Sequence, residues 1–251
     1  MTSGSLTATR AVAPHVAELA LVGGAYLTYM LVRWWISGDI SSVAFDNAER
    51  IVELERGLGV FWEPAWQRWT IDSADALVVF FNWAYILTFY PIIVTASVIM
   101  YVKSRHRYRY YRNVVLLSFV FALAAFALFP LAPPRMLTGE FVDTVASFGP
   151  SFYASAEVAD YYNAFAAMPS LHFGWSVLFG VVFFNTGSRV LRVLGIVYPS
   201  LMLFSIIVTG NHYFLDAVGG GVVIVGSFGA AHVARRIARK RVRARRRPLA
   251  A

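Results

Sequence analysis

The chain has 251 residues, of which 58% are hydrophobic and 14% are charged, and its mean hydropathy is +0.59. Soluble globular domains carry about 25% charged residues, so this composition excludes an ordinary soluble domain and indicates lipid as the surrounding solvent. The net charge of +8 does not indicate nucleic-acid binding, because the basic residues lie just beyond apolar runs rather than along a soluble face.

Six apolar runs are long enough to cross a hydrocarbon core of ~30 Å. They cover residues 16–36, 75–101, 114–131, 170–186, 190–209 and 212–234. Because backbone polar groups must be paired within hydrocarbon, spans of this length are expected to be helices. We therefore predict an all-α fold, a polytopic membrane bundle of about six transmembrane helices, in which residues 1–251 form a single membrane domain.

The first two runs are separated by a segment whose apolar residues recur every three or four positions from Phe45 to Phe61, with charged residues between them. Such spacing predicts an amphipathic helix. Trp62, Trp66 and Trp69 follow, and aromatic rings of this kind prefer the membrane–water interface. We predict a helix in the interfacial plane, either as a cap on the bundle or as a gate for substrate.

The orientation of the bundle follows from the positive-inside rule, by which short cytoplasmic loops carry the excess of lysine and arginine. With the N-terminus inside, the outer segments hold five arginines and every acidic residue except Glu18. The other basic residues fall inside, including a basic tail at 235–251 that suits anionic headgroups of the inner leaflet. We therefore predict a multi-pass protein of a prokaryotic plasma membrane with both termini cytoplasmic.

Two histidines stand out, because ionisable groups at the mouths of membrane helices are costly and are kept mainly for function. His212 precedes Asp216 by four residues, so an imidazole and a carboxylate share one helical face. A carboxylate that accepts the Nδ1 proton leaves Nε2 with a free lone pair, as in a nucleophile or base. His172 follows Pro169 and Ser170, where a first helical turn is suited to bind an anion.

The long outer loop begins with two prolines and Arg135, and a rigid turn of this kind fixes where the arginine points. Five polar residues from three regions are therefore expected to converge near the outer membrane surface: Arg135, Ser170, His172, His212 and Asp216.

The spacing of His212 and Asp216 is also compatible with two metal ligands. A third ligand with suitable spacing is missing from the sequence, since His15, His106 and His232 fall on the opposite side. There is no cysteine to serve as ligand or nucleophile. We predict no metal and no cofactor.

These regions resemble the signature blocks of the type 2 phosphatidic acid phosphatase (PAP2) superfamily, over roughly Pro130 to Gly221. The block from Met168 to Trp175 (MPSLHFGW) and the block that begins at Asn211 (NHYFLDAVGG) are especially similar to the inositol phosphorylceramide synthase branch, and more loosely to sphingomyelin synthases. The resemblance implies a membrane enzyme with a core at about 75–236 that cleaves or transfers phosphate esters of lipids at the extracytoplasmic face.

By the same resemblance, His212 attacks phosphorus to form a phosphohistidine, Asp216 orients it, and His172 protonates the departing alkoxide. Arg135 and Ser170 hold the phosphoryl oxygens, and arginine matches their geometry well. Fixed donors of this kind stabilise developing charge without a metal.

The broader superfamily pattern has a lysine and a second arginine where this chain has Leu128 and Ile206. Fewer cations weaken binding of a phosphate monoester, which carries close to two charges, more than binding of a diester, which carries one. The sequence therefore favours a phosphodiester lipid and transfer of its head group. Further candidate donors are Asn211, beside the nucleophile, and three loop residues, Tyr153, Tyr161 and Asn163.

Two alternatives remain open on the sequence alone. One is a phosphatase that hydrolyses a polyprenyl or diacylglycerol phosphate and differs in using water as the acceptor. The other is a non-enzymatic protein, either a transporter or a lipid-binding protein that keeps the fold. A transporter is expected to spread ionisable groups through the bilayer depth, whereas the candidates here cluster at one end.

Overall fold

The computed structural model describes residues 3–36, 40–137, 139–149 and 165–246. Within these ranges the regular elements are helices, and extended backbone pairs at one bridge, between Leu131 and Ala166. The helices, in chain order, are α1 Ser3–Ile36, α2 Ser41–Leu58, α3 Glu63–Ser73, α4 Asp75–Lys103, α5 Arg105–Leu128, α6 Thr144–Phe148, α7 Leu171–Phe184, α8 Arg189–Val208 and α9 Phe214–Arg246. A 3-10 turn covers Pro134–Met136.

Five helices of the described chain are long and apolar enough to cross a membrane. They are α4, α5, α8, α9 and the Val12–Val32 part of α1, while α7 is a shorter apolar helix. The prediction of an all-α polytopic membrane bundle is confirmed. The chain divides into two compact units, residues 1–40 and residues 41–251, and the single membrane domain stays a prediction.

α5 begins earlier than its apolar run indicates, at Arg105 rather than near residue 114. Its first turns alternate basic and aromatic residues, which lowers the hydropathy of a segment that is nonetheless helical. Tyr108 is buried there, and the Arg105 guanidinium lies 3.9 Å from the centre of the Tyr101 ring. Long cationic side chains can lie along apolar surface in this way while their charge stays near water.

Among the described helices, α7 and α8 pack against each other most extensively, and two glycines face each other in this contact. A Cβ atom on Gly180 would lie 2.5 Å from the Gly195 carbonyl oxygen, and one on Gly195 would lie 2.6 Å from that of Gly180. Small residues allow two helix backbones to approach this closely. The core around the pair takes side chains from α4, α5, α7, α8 and α9, among them Phe89, Val114, Phe179, Ile206 and Ile224.

The predicted amphipathic helix is present as α2, and the face that it buries against the protein includes polar residues. Leu54 and Leu58 are exposed, whereas Asn47 and Glu55 are buried. The Asn47 amide donates to the Pro130 carbonyl at 2.8 Å, and Glu55 accepts from a backbone amide of α9. Buried polar groups are tolerated when hydrogen-bonded, so these distant partners set the orientation of the helix.

Candidate active site

Backbone hydrogen bonds bring together the three regions that carry the predicted site residues. The Arg135 N–H donates to the Gly210 carbonyl at 2.8 Å, which ties the 3-10 turn to the end of α8. The Ser170 N–H donates to the Asp216 carbonyl at 2.9 Å, which ties the start of α7 to the first turn of α9. The segment before α7 is joined to the segment after α5 by a third bond, in which the Leu131 N–H donates to the Phe165 carbonyl at 2.8 Å.

His212 is held by two acceptors on the same ring nitrogen. Its Nδ1 lies 2.8 Å from the Ala167 carbonyl oxygen and 3.3 Å from Oδ2 of Asp216. A carbonyl oxygen can only accept, so Nδ1 carries the proton and Nε2 keeps its lone pair. Burial is the main cause that lowers the pKa of His212 to about 3; the bond to Ala167 opposes this shift and the charge of Arg135 adds to it. The ring is therefore neutral at physiological pH, with Nε2 unprotonated.

Asp216 is fully buried and faces the start of its own helix. Its Oδ2 accepts the Tyr213 N–H at 2.9 Å in addition to His212 Nδ1. A carboxylate at a helix N-terminus is favoured by the partial positive charge of the exposed amides. The same oxygen therefore caps α9 and contacts the imidazole, so the orientation of His212 depends on how α9 begins.

His172 lies in the first turn of α7 beside the second imidazole. The ring centroids of His172 and His212 are 5.8 Å apart. Tyr85 and Phe89 of α4 hold the His172 ring, with centroid distances of 4.6 Å and 4.2 Å. The two imidazoles are therefore neighbours, and the aromatic contacts restrict the orientation of the His172 ring.

Arg135 is oriented by side chains from two directions. One guanidinium N–H donates to Oδ1 of Asn211, and Nε lies 3.6 Å from Oδ2 of Asp143. The Asn211 amide nitrogen in turn donates to Oγ1 of Thr209 at 2.7 Å. Both the oxygen and the nitrogen of the Asn211 amide are thus hydrogen-bonded, the oxygen to Arg135 and the nitrogen to Thr209. The predicted role of Asn211 as a phosphate ligand is untested, but its geometry is that of a group that positions Arg135.

Ser170 is fully buried at the N-cap of α7, where its Oγ accepts the Phe173 N–H at 3.3 Å. Serine is a favoured N-cap residue because its oxygen satisfies an amide that has no partner within the helix. Ser170 thus starts the helix that carries His172. The three other donors predicted in the loop, Tyr153, Tyr161 and Asn163, lie outside the described residues.

The sequence profile of the PAP2 superfamily matches residues 49–230. The chain belongs to the PAP2 superfamily. No curated protein and no solved structure matches it. Membership supports an enzyme of the phosphatase or phosphotransferase type that acts on a lipid-related substrate in a membrane.

The two positions that depart from the broader PAP2 pattern lie in different environments. Leu128 is 84% exposed near the end of α5. Ile206 is fully buried in α8, and its carbonyl accepts the backbone N–H groups of Asn211 and His212, both at 3.1 Å. In this PAP2 chain, position 206 therefore contributes to the site through its backbone. Within the described residues, no group of three or more His, Asp or Glu side chains could hold a metal ion, and metal independence stays a prediction.

Several residues that support the site were not predicted. Gln67 of α3 donates to the Val142 and Val208 carbonyls at 2.9 and 3.1 Å and accepts the Val142 N–H at 2.8 Å. It thus joins the segment that carries Asp143 to the end of α8. Two further buried side chains, Glu55 and Glu63, contact the start of α9. A sequence signal existed for Glu55, because it follows the apolar Ile51 by one helical turn and so lies on the apolar face.

Proposed function

We propose that this PAP2 protein transfers or hydrolyses a phosphate ester of a membrane lipid through a phosphohistidine on His212. The observation that carries the proposal is the pair of acceptors on Nδ1 of His212, the Ala167 carbonyl and Asp216. They leave Nε2 as the nucleophilic nitrogen, next to His172 and the cation of Arg135. Asp216 offsets the positive charge that the ring acquires when Nε2 bonds to phosphorus.

The reaction proceeds in two balanced steps. In the first, the Nε2–P bond forms, the bond from phosphorus to the leaving oxygen breaks, and His172 in its protonated form gives that oxygen a proton. In the second, neutral His172 takes a proton from the acceptor hydroxyl as its oxygen attacks phosphorus, and the Nε2–P bond breaks. A covalent intermediate divides one difficult displacement into two easier ones, and a general acid contributes about 10²–10⁴-fold.

The proposed substrate is a phosphodiester lipid, and the proposed acceptor is an alcohol, as in the inositol phosphorylceramide synthase branch. The support is the charge of the cluster. Arg135 supplies the positive charge among the predicted site residues, and Asp143, 3.6 Å away, partly offsets that charge. Leu128 and Ile206 stand where the broader pattern has cations. A site with little positive charge favours a phosphate that carries one negative charge over one that carries two.

A second candidate function is hydrolysis of a lipid phosphate, including a polyprenyl phosphate, because PAP2 proteins are generally phosphatases. The two functions share the phosphohistidine and differ in the acceptor, water or an alcohol. Analysis of the products, which shows whether water or an alcohol accepted the phosphoryl group, is therefore enough to distinguish the two functions.

The decisive experiment uses purified protein in detergent with chelator, supplied with dioctanoyl phosphatidic acid or dioctanoyl phosphatidylinositol, with and without a diacylglycerol acceptor. His212→Ala is compared with His232→Ala, an exposed histidine in the second half of α9. Inorganic phosphate release that depends on His212 identifies a phosphatase, and head-group exchange that depends on His212 identifies a transferase. Activity that survives His212→Ala contradicts the mechanism, and absence of any turnover favours the transporter and lipid-binding alternatives.

We further propose that the site faces the extracytoplasmic side and that both termini are cytoplasmic. The support is the charge asymmetry of the loops. Because the chain has no cysteine, single cysteines at Ser147 and Thr186, both exposed, allow labelling of intact cells with an impermeant maleimide. Labelling of Ser147→Cys without Thr186→Cys is expected, and the reverse pattern contradicts the orientation.

A further inference from the structure

Two glutamates from the α2–α3 segment reach the first turn of α9, next to the proposed nucleophile. Oε1 of Glu63 accepts the Phe214 N–H at 2.8 Å, and Oε1 of Glu55 accepts the Leu215 N–H at 2.7 Å. Both side chains are fully buried. Amides at a helix N-terminus have no partner within the helix, and here the partners come from residues that are far away in sequence.

With Asp216, three carboxyl groups serve three consecutive amides, those of residues 213–215. The residue before this run is His212. The α2–α3 segment therefore helps to set the conformation at which the loop that carries His212 passes into α9. A carboxyl contact at a helix start typically stabilises it, and burial makes the loss of such a contact more costly.

Three buried carboxyl groups cannot all be ionised without strong repulsion. The second oxygens of Glu55 and Glu63 are both buried and have no hydrogen-bond partner among the described residues, and the two carboxyl groups lie close enough to act on each other electrostatically. Burial, followed by the interaction with the Glu63 carboxyl group, raises the pKa of Glu55 to about 9. At neutral pH Glu55 is therefore protonated, and its O–H is available to donate to the unpartnered oxygen of Glu63.

We propose that Glu55 and Glu63 share one proton and act as positioning residues that hold the start of α9, and with it the His212–Asp216 pair, in its reactive arrangement. This inference rests on the proposed function, since it concerns the geometry of the proposed nucleophile. Neither glutamate contacts the reacting atoms; both act through the backbone amides that they bind. The α2–α3 segment thereby positions the start of α9 and is more than a cap on the bundle.

The shared proton has a pH consequence. The titratable groups that act on Glu55 are Glu63 of α3 and Asp216 of α9, and Tyr213 beside them also lies in the field of Glu55. Below about pH 9 Glu55 is protonated and uncharged. As the pH rises through that value, Glu55 ionises in its buried position beside the other carboxyl groups, and the arrangement is lost with rising pH.

The test compares Glu55→Gln, Glu55→Ala and wild type, with Glu53→Ala, an exposed glutamate of the same helix, as control. Glutamine reproduces protonated Glu55, because its oxygen accepts from Leu215 and its amide donates to Glu63. Hydrogen exchange of a peptide that covers residues 209–217 reports directly on the amides and requires no substrate. Turnover of dioctanoyl phosphatidic acid and dioctanoyl phosphatidylinositol gives kcat and KM between pH 6 and 10.

Glu55→Ala is expected to increase exchange of the Leu215 amide and to lower kcat by about tenfold or more, with KM little changed. Glu55→Gln is expected to keep wild-type protection and kcat and to remove the alkaline decline in both. Unchanged protection in Glu55→Ala, or an alkaline decline that persists in Glu55→Gln, overturns the proposal. If Glu55→Ala does not fold, the Glu55→Gln pH profile decides. If no lipid turns over, the exchange data still decide, so failure of the proposed function is distinguishable.

Discussion

The backbone N–H of Ser170 donates to the carbonyl of Asp216 at 2.9 Å, so the residue that caps α7 is bonded to the residue that contacts His212. The two helix starts meet at this bond. His172 follows Ser170 and His212 precedes Asp216 in the sequence. The distance between the two histidines is therefore set by this backbone hydrogen bond rather than by contact between their side chains. The contact depends on close approach of α7 to α9, which small residues make possible.

Gly220 is the residue of α9 that permits this approach, and we predict that Gly220→Ala destabilises the protein. A Cβ atom there would overlap the Ser170 carbonyl oxygen, and overpacking of this kind typically costs about 1–3 kcal/mol. The matched control is Gly221→Ala, where no atom lies within 4 Å. Thermal unfolding in detergent should show a lower Tm for Gly220→Ala alone; equal Tm values would contradict the close approach.

Asp216→Asn is predicted to lower kcat by roughly 10²–10³-fold without loss of the imidazole tautomer. The sequence assigns the choice of tautomer to Asp216, but the Ala167 carbonyl, at 2.8 Å, also requires a proton on Nδ1. The loss then comes from the missing charge beside the positive ring. Nitrogen NMR of His212 should show the Nδ1–H tautomer in both proteins, and a shift to the Nε2–H tautomer in the variant would contradict this.

Asn211 and Arg135 are predicted to be coupled. If Asn211 acts by orienting Arg135, then Asn211→Ala lowers kcat/KM in the wild type but has little further effect in Arg135→Ala. The coupling energy should exceed about 0.5 kcal/mol, the usual limit of additivity for independent sites. Additive effects in the double variant would instead indicate that Asn211 binds the phosphate itself. Turnover of the same lipid by all four proteins gives the answer.

Acid destabilisation is predicted from His212. Burial lowers its pKa from 6.5 to about 3, so the unfolded chain binds a proton that the folded protein does not. Stability is therefore fully present above pH 6.5 and falls as the pH drops toward 3. The slope of Tm between pH 4 and 7 should be shallower in His212→Gln than in wild type. His232→Gln, at an exposed position, should keep the wild-type slope; the same slope in all three proteins would contradict the assignment.

The helices could be predicted from sequence because apolar runs of membrane-spanning length are a local property. The start of α5 could not, since its first turns are basic and aromatic and their burial depends on neighbours such as Tyr101. The partners of the buried polar residues of α2 could not be predicted for a related reason. Those of Asn47 and Glu55 lie 83 and 160 residues further along the chain.

The candidate site was predictable to the extent that it consists of recognisable side chains. His172, His212, Asp216, Arg135 and Ser170 come together, although their roles stay predictions. The Ala167 carbonyl gave no sequence signal, because every residue has a carbonyl and only the fold selects one. The same holds for the amides of α9 that meet Glu55 and Glu63.

The 14 residues of α7 have a further consequence, one of depth. At 1.5 Å per residue the helix covers about 21 Å, so if its C-terminal end lies at one interface its N-terminal end stops roughly 9 Å short of the other side of a ~30 Å core. Ser170 and His172 would then lie beneath the headgroup layer. We expect the bilayer to thin there or the substrate lipid to move deeper into the leaflet. Substrate selectivity would then depend in part on the free-energy cost of displacing each lipid from its normal depth in the leaflet.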